Sequence, residues 1–185
     1  MRTKQASGRR RTGGRAPWAG AVAAASTLVA ATGVGVANAA PARPSFDYLG
    51  EFANVADAPK GTPPIGGIAA MVVTRHGTTT SIAATGLDPN AVYIADVHST
   101  SCFINEGSGP FLFDPAGPDQ PPNAIWLWPI TVSAKGRGTA STVSATPVGP
   151  RAKSLVIHLK RAAGAKADET YPPKLACADL PRITS

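Results

Sequence analysis

Apolar and polar residues alternate with a period of two along several short stretches of this chain. The clearest stretch is Lys153–Arg161, where Leu155, Ile157 and Leu159 fall on one face and His158 falls on the other. Because successive side chains of a β-strand point to opposite faces, this alternation predicts a strand with one buried face.

Other stretches are apolar, β-branched or alternating, and turns rich in glycine, proline and asparagine separate them, which also indicates strands. They lie at Phe46–Phe52, Ile68–Thr74, Thr78–Thr85, Ala91–His98, Ile125–Val132 and Thr139–Thr146. The segment Ser99–Asn123 carries repeated Gly and Pro and predicts a long loop. No long segment has the 3.6-residue periodicity of a helix, so the pattern predicts an all-β sandwich or barrel.

The first 39 residues have the features of a secretory signal peptide. Residues 1–16 are basic and contain no acid, an apolar Ala- and Gly-rich run extends from Trp18 to Val36, and Ala37-Asn38-Ala39 matches a small-x-small cleavage site. The Arg9-Arg10-Arg11 run leaves a twin-arginine route open. A retained membrane anchor is the other alternative, although Gly, Ser and Thr dilute a run that is barely long enough to span a bilayer. We therefore expect a secreted or cell-envelope protein.

Removal of this segment changes the electrostatic picture. The whole chain has 18 Lys and Arg against 11 Asp and Glu, a net charge of +7. Six of the cations lie in residues 1–16 and every acid lies after residue 39, so 12 cations and 11 acids remain, a net charge near +1. This balance gives no support for nucleic-acid binding. No second apolar run is long enough to span a membrane, so no membrane contact is expected after signal removal.

The remaining length suits one domain with a single core. Residues 40–66 are rich in Pro, Ala and Gly and predict an extended N-terminal segment, and residues 67–185 predict the β-domain. The two cysteines are Cys102 and Cys177, and in an oxidising compartment one disulfide between them is expected. The alternative, a catalytic or metal-binding thiol, is disfavoured because neither cysteine has a C-x-x-C partner or a nearby histidine cluster.

Candidate chemistry concentrates in the stretch AVYIADVHSTSC, residues 91–102. Alternation places Asp96 and His98 on one face of the predicted strand, and a carboxylate and an imidazole so placed could hold a metal ion. The alternative is a solvated strand end beside a structural disulfide. His158 lies on the polar face of its own predicted strand.

Other polar residues fit structural roles. His76 lies in the turn TRHGTT and is expected to be solvated. Asp114 and Asp119 are flanked by Pro and Gly, which suggests turn capping. A metal-binding role for either acid would need a denser cluster of oxygen or nitrogen ligands.

Four strings follow one another along the chain: GLDPNAVYIADVHSTSC, then GSGP with a long loop leading to NAIWL, then KSLVIHLK, and finally KLACADL. In order and spacing they resemble the copper–zinc superoxide dismutase family, particularly its exported bacterial branch, over roughly Ile68 to Leu180. This resemblance implies the Greek-key β-barrel or sandwich of the superoxide dismutase-like type, with a metal site on its outside.

The resemblance also implies roles for individual residues, and the site that it implies is incomplete. His98 and His158 fall on copper-binding histidines, whereas Asp96 stands where another copper-binding histidine is expected. Phe111 stands where the family has the histidine that bridges copper and zinc. Lys174 replaces the arginine that guides an anion toward the copper.

We therefore expect an exported superoxide dismutase-like domain with an incomplete metal site, without dismutase activity, that serves a structural or binding role. The alternative is a copper-dependent superoxide dismutase or a copper-binding protein that uses His98 and His158, with Asp96 as a further ligand. Any metal bound is expected to be copper rather than zinc. The sequence identifies no partner protein or ligand.

Overall fold

The computed structural model describes residues 47–161 and 172–183. The predicted signal peptide and residues 40–46 lie outside this part of the chain. The described residues form β-strands joined by turns and loops, with no helix among them, so the prediction of an all-β fold is confirmed. Within these residues there is accordingly no helix of the length and apolar character needed to cross a membrane.

The strands of the described residues form two antiparallel sheets of five strands each. They are β1 (Tyr48–Glu51), β2 (Ala53–Asn54), β3 (Gly66–Thr74), β4 (Gly77–Thr85), β5 (Val92–His98), β6 (Trp126–Leu127), β7 (Thr131–Val132), β8 (Gly138–Ser144), β9 (Ser154–Arg161) and β10 (Lys174–Asp179). The first sheet has the order β1-β3-β4-β8-β7 and the second has the order β2-β10-β9-β5-β6. Two such layers around one core make a β-sandwich.

The chain passes directly from one sheet to the other at two places. β1 and β2 flank Phe52 and belong to different sheets, and β6 and β7 flank residues 128–130 and also belong to different sheets. All four are edge strands, so a continuous stretch of chain joins the two sheets along each side. The Greek-key connectivity and the superoxide dismutase-like type stay predictions.

The main core lies between the two sheets. In β5, Tyr93, Ala95 and Val97 point into this core, and in β9, Leu155 and Ile157 do so. All of these side chains are buried, and Leu155 and Ile157 are the residues that the alternation assigned to the apolar face. The opposite faces of the same two strands carry the polar residues of the candidate site.

Some strands differ from their predictions for physical reasons. The strand predicted at Ile125–Val132 is divided into β6 and β7, because Pro129 has no N–H to donate to a neighbouring strand. Strand β10 was not among the predicted strands, because Leu175 to Ala178 are all buried and leave no polar face that a pattern would detect. The segment predicted as an extended lead-in contributes β1 and β2, which pair with β3 and β10.

Cys102 and Cys177 form the predicted disulfide, with their Cα atoms 5.7 Å apart. Cys177 lies on β10, and Cys102 belongs to the long loop that follows β5, so the bond fastens this loop to the second sheet. Val55 and Val156 pack around Cys177 in a small apolar cluster outside the main core.

Removal of this disulfide should lower the free energy of unfolding by roughly 4 kcal/mol, because the bond closes a loop spanning 75 residues in the unfolded chain. The measurement is urea unfolding of a Cys102→Ser, Cys177→Ala variant against the oxidised wild type. A reductant should reproduce the loss in the wild type and leave the variant unchanged. A loss below about 1 kcal/mol would contradict the loop-closure argument.

Candidate metal site

Strands β5 and β9 bring three polar side chains together on the face of the second sheet that points away from the main core. Asp96 lies opposite Val156 in the antiparallel register, and His158 lies two residues further along β9, opposite Ile94. Side chains at such diagonal positions can reach one another across two strands. His98 follows Asp96 by two residues and therefore shares its face. We call Asp96, His98 and His158 the His/Asp cluster.

The Oδ1 atom of Asp96 is the centre of the His/Asp cluster. It lies 2.8 Å from Nε2 of His158 and 3.1 Å from Nε2 of His98. The imidazole rings are stacked, with centroids 5.8 Å apart, and one ligand atom from each residue lies within 4.8 Å of the others. All three residues are between 1% and 3% exposed, so a solvated strand end does not describe this site.

A backbone contact defines the tautomer of His158. Its Nδ1 atom lies 3.0 Å from the carbonyl oxygen of Pro172, shortly before β10. Because a carbonyl oxygen can only accept a hydrogen bond, Nδ1 carries a proton and donates it. A ring with its proton on Nδ1 can present the lone pair of Nε2 to a metal ion, which is the form in which histidine binds metals.

His98 is buried but has no backbone hydrogen bond comparable to the one between His158 and Pro172. Neither of its ring nitrogens has a hydrogen-bond partner of acceptable geometry among the described residues, although Nε2 lies 3.1 Å from the Asp96 carboxylate. A buried polar group left in this way costs about 1–3 kcal/mol. In native proteins such groups almost always have a partner, which can be another protein group, an ordered water or an ion.

The two imidazoles determine the charge of Asp96. Burial by itself raises the pKa of a carboxyl group, but the contacts with His158 and His98 outweigh burial and lower the pKa of Asp96 below its ordinary value. Asp96 is therefore an anion at neutral pH. One carboxylate oxygen and two imidazole nitrogens form a mixed ligand set that suits divalent first-row metals.

Low pH should destabilise the metal-free protein because it protonates the Asp96 carboxylate. A carboxyl group with a lowered folded pKa contributes stability above its unfolded pKa of about 3.9, and this stability is lost as the pH falls through the folded pKa. We expect the free energy of unfolding, measured by urea titration with a chelator present, to fall below about pH 4 in the wild type and to fall less in Asp96→Asn. The exposed Asp114, changed to Asn, should keep the wild-type dependence. Equal acid sensitivity in Asp96→Asn and the wild type would contradict this assignment.

The loop between β5 and β6 packs against the same face of the second sheet. Gly107 has a φ of 69° and approaches β9 so closely that a Cβ atom there would lie 2.8 Å from Oγ of Ser154 and 3.0 Å from Cγ2 of Val156. Only glycine combines this backbone conformation with this approach. The hydroxyl of Ser154 donates a hydrogen bond to the carbonyl oxygen of Thr100, which fixes the start of the loop.

Lys174 also fixes this loop. Its Nζ atom donates to the carbonyl oxygens of Asn105 and Gly107, at 3.1 Å and 3.3 Å. Lys174 pairs with His158 in the register of β10 and β9, so the cation lies on the strand next to the His/Asp cluster. The role of guiding an anion, implied by the resemblance, stays a prediction.

Phe111 occupies the position at which the resemblance would place a bridging histidine. Its side chain is 1% exposed and belongs to the main core. The ring packs edge-on against Phe113, and the guanidinium of Arg151 lies 5.7 Å from its centroid. Because a phenyl ring has no ligand atom, Phe111 contributes packing and cannot bridge two metal ions.

Asp114 and Asp119, the two loop acids that were predicted to cap turns, differ in their hydrogen bonding and burial. Asp114 does cap a turn, since its Oδ1 atom accepts a hydrogen bond from the backbone of Ala116 at 3.0 Å. The Oδ1 atom of Asp119 is instead buried without a hydrogen-bond partner among the described residues, and its charge interacts with the His/Asp cluster. The local sequence does not distinguish the two acids, because each is next to a proline in the same loop.

The fold and the site together define a disulfide-linked β-sandwich protein with a buried His/Asp cluster that could hold a metal ion. The chain matches no protein-family model, and no curated protein matches it. The resemblance to superoxide dismutases therefore rests on the sequence strings alone.

Proposed function

We propose that this protein is an exported metal-binding β-sandwich of the superoxide dismutase-like type, which holds a divalent cation and does not dismutate superoxide. The observation that carries the proposal is the convergence of Asp96 Oδ1 and the Nε2 atoms of His98 and His158 in a buried cluster. His98 supports it most directly, because its buried Nε2 atom has no well-aligned hydrogen bond among the described residues and a bound metal would satisfy it.

The separations of the Asp96 carboxylate oxygen from the two imidazole nitrogens fit one ion. Metal–nitrogen and metal–oxygen bonds to first-row metals are about 2.0–2.2 Å long. Atoms 2.8 Å and 3.1 Å apart would then subtend angles of roughly 85–100° at the ion. Angles near 90° are those of a two-histidine, one-carboxylate site, whose remaining positions are open to water or another ligand.

Two features argue against dismutation. A dismutase needs copper that changes oxidation state readily, and a carboxylate is a harder ligand than the imidazole expected at Asp96, so it favours the divalent ion. Phe111 supplies no bridging group that could release copper and accept a proton. The cluster is also deeply buried, which suits a metal that stabilises the fold.

The disulfide supports the proposed export. Structural disulfides persist in oxidising compartments and are rare in reducing ones. Fractionation of cells that produce the full chain, with the N-terminus of the recovered protein determined by mass spectrometry, should yield an exported species that begins at residue 40. A full-length protein retained in the cytosol would contradict export.

Metal analysis of the purified protein tests the function itself. We expect about one equivalent of a divalent metal after dialysis against zinc or copper, together with no superoxide consumption above a metal-free control. Protein that retains no metal would contradict the proposal and support a cluster that only stabilises the fold. Rapid superoxide consumption by the copper-loaded protein would instead support the dismutase alternative.

A further inference from the structure

The first sheet has an uncharged surface on the side that points away from the main core. Ala69 of β3, Ile82 of β4 and Ala140 of β8 belong to the main core or pack against it, so their neighbours along each strand point outward. The strand register places the outward positions 68, 70, 72, 79, 81, 83, 139, 141 and 143 in three rows of three. All nine are Ile, Val, Ala, Thr or Ser, and we call them the uncharged face. Its exposed side chains are Ile68, Thr79, Ala83, Thr139, Ser141 and Val143.

The uncharged face exposes apolar side chains at two opposite corners. Val143 is 75% exposed and Ile68 is 43% exposed, and they lie in the outermost rows on different strands. Between them, the hydroxyl of Ser141 donates a hydrogen bond to the carbonyl oxygen of Thr80 at 3.2 Å, so this donor keeps its partner when water is removed. The cores of protein–protein interfaces are likewise depleted in charged residues.

The lack of charge makes the uncharged face compatible with a second copy of itself. In a dimer with a twofold axis, the same surface of both subunits forms the interface, so a charged residue near the axis would lie close to its own copy. The nine positions bring no such repulsion. Their side chains are also small, which suits two sheets that pack face to face about 10 Å apart.

The size of the surface determines how strong such a dimer can be. Strands β3, β4 and β8 contain nine, nine and seven residues, and each residue of a sheet covers about 16 Å², from a rise of about 3.3 Å and a strand spacing of about 4.8 Å. Two copies of these strands would cover about 800 Å² of flat surface, and the short edge strands β1 and β7 raise this area to about 1,000 Å². That area is the lower limit for a specific interface, so it fits a weak dimer.

From the charge, packing and area of this surface, we propose that the uncharged face is the interface of a weak homodimer, in which two copies pack their first sheets face to face. The His/Asp cluster lies on the outer face of the second sheet, on the other side of the sandwich. Each copy therefore keeps its candidate metal site away from the interface, and the dimer does not depend on the proposed function.

Sedimentation velocity of the purified, oxidised protein tests the dimer, with a chelator present so that no metal ion bridges two copies. Between about 1 μM and about 500 μM, the wild type should pass from monomer to dimer with a Kd in the micromolar range. Val143→Asp adds a like charge to both halves of the interface and should raise the Kd at least about tenfold. Ile104→Asp is the matched control, because it adds the same charge at an apolar residue that is 52% exposed in the loop against the second sheet. It should keep the wild-type Kd.

A wild-type protein that stays monomeric up to about 500 μM overturns the inference. A dimer that is unchanged in Val143→Asp, or that Ile104→Asp weakens equally, also overturns it, because the interface would then lie elsewhere. Circular dichroism checks the fold of each variant. If Val143→Asp is unfolded, Thr139→Lys replaces it at an exposed position in another row, and an unchanged Kd there overturns the inference. None of these results bears on metal binding, because the uncharged face contains no residue of the His/Asp cluster.

Discussion

The double variant His98→Ala, His158→Ala should lose metal binding, with the affinity for zinc lowered at least about a thousandfold, or about 4 kcal/mol. The reason is that the two substitutions remove both nitrogen ligands of the His/Asp cluster and leave only the carboxylate of Asp96. Structural zinc sites contribute about 10–16 kcal/mol over all of their ligands, so the loss of two ligands accounts for an effect of this size. Isothermal titration calorimetry and metal analysis after dialysis measure it.

His76 provides the control for this experiment. It is the third histidine of the chain and is exposed in the turn between β3 and β4. His76→Ala should bind zinc as the wild type does. If the double variant still bound one equivalent of metal with unchanged affinity, the metal would lie elsewhere on the protein and the His/Asp cluster would not be its site.

Phe111→Ala should lower the free energy of unfolding by about 3–5 kcal/mol, the usual cost of removing a buried aromatic ring. Phe111 is 1% exposed in the main core, and its truncation leaves a cavity against the ring of Phe113. Because stabilities of single domains are typically about 5–15 kcal/mol, this one change removes a large share of the total. Urea unfolding monitored by circular dichroism gives the difference.

Phe103 is the matched control for Phe111. It carries the same ring in the same loop but is 94% exposed. Phe103→Ala should therefore change the free energy of unfolding by less than about 0.5 kcal/mol. Similar losses in the two variants would show that Phe111 is not the packing residue described here.

The fold was largely predictable because most strands have one apolar and one polar face. In β9, Leu155 and Ile157 point into the main core as the alternation predicts. The pattern gives no prediction for β10, where Ala176 is buried in the main core and Cys177 is buried in the apolar cluster on the other face. Burial on both faces arises from the loop that packs over the second sheet, and a local pattern carries no information about that packing.

The candidate site was predictable in part. A spacing of two residues places Asp96 and His98 on one face in any β-strand, whatever the fold. Their contact with His158 depends on the pairing of β5 with β9, which are separated by more than 50 residues. The resemblance to superoxide dismutases suggested this pairing, but the burial of the cluster and the Pro172 contact that sets the His158 tautomer required the tertiary structure.

Asp114 and Asp119 show most clearly that local sequence does not determine where a side chain lies in the tertiary structure. Asp114 precedes Pro115 and Asp119 follows Pro118 in one loop, and the sequence predicts turn capping for both. The tertiary structure shows that Asp114 is exposed and caps its turn, whereas the Oδ1 atom of Asp119 is buried.

The sequence by itself determined the all-β class, the faces of the main strands and the pair of cysteines, because these depend on periodicity and composition along the chain. The tertiary structure decided which of those faces are covered, how β5 and β9 align and where the loop acids lie. Those properties depend on contacts between residues far apart in sequence, and they are what turn three dispersed polar residues into one buried site.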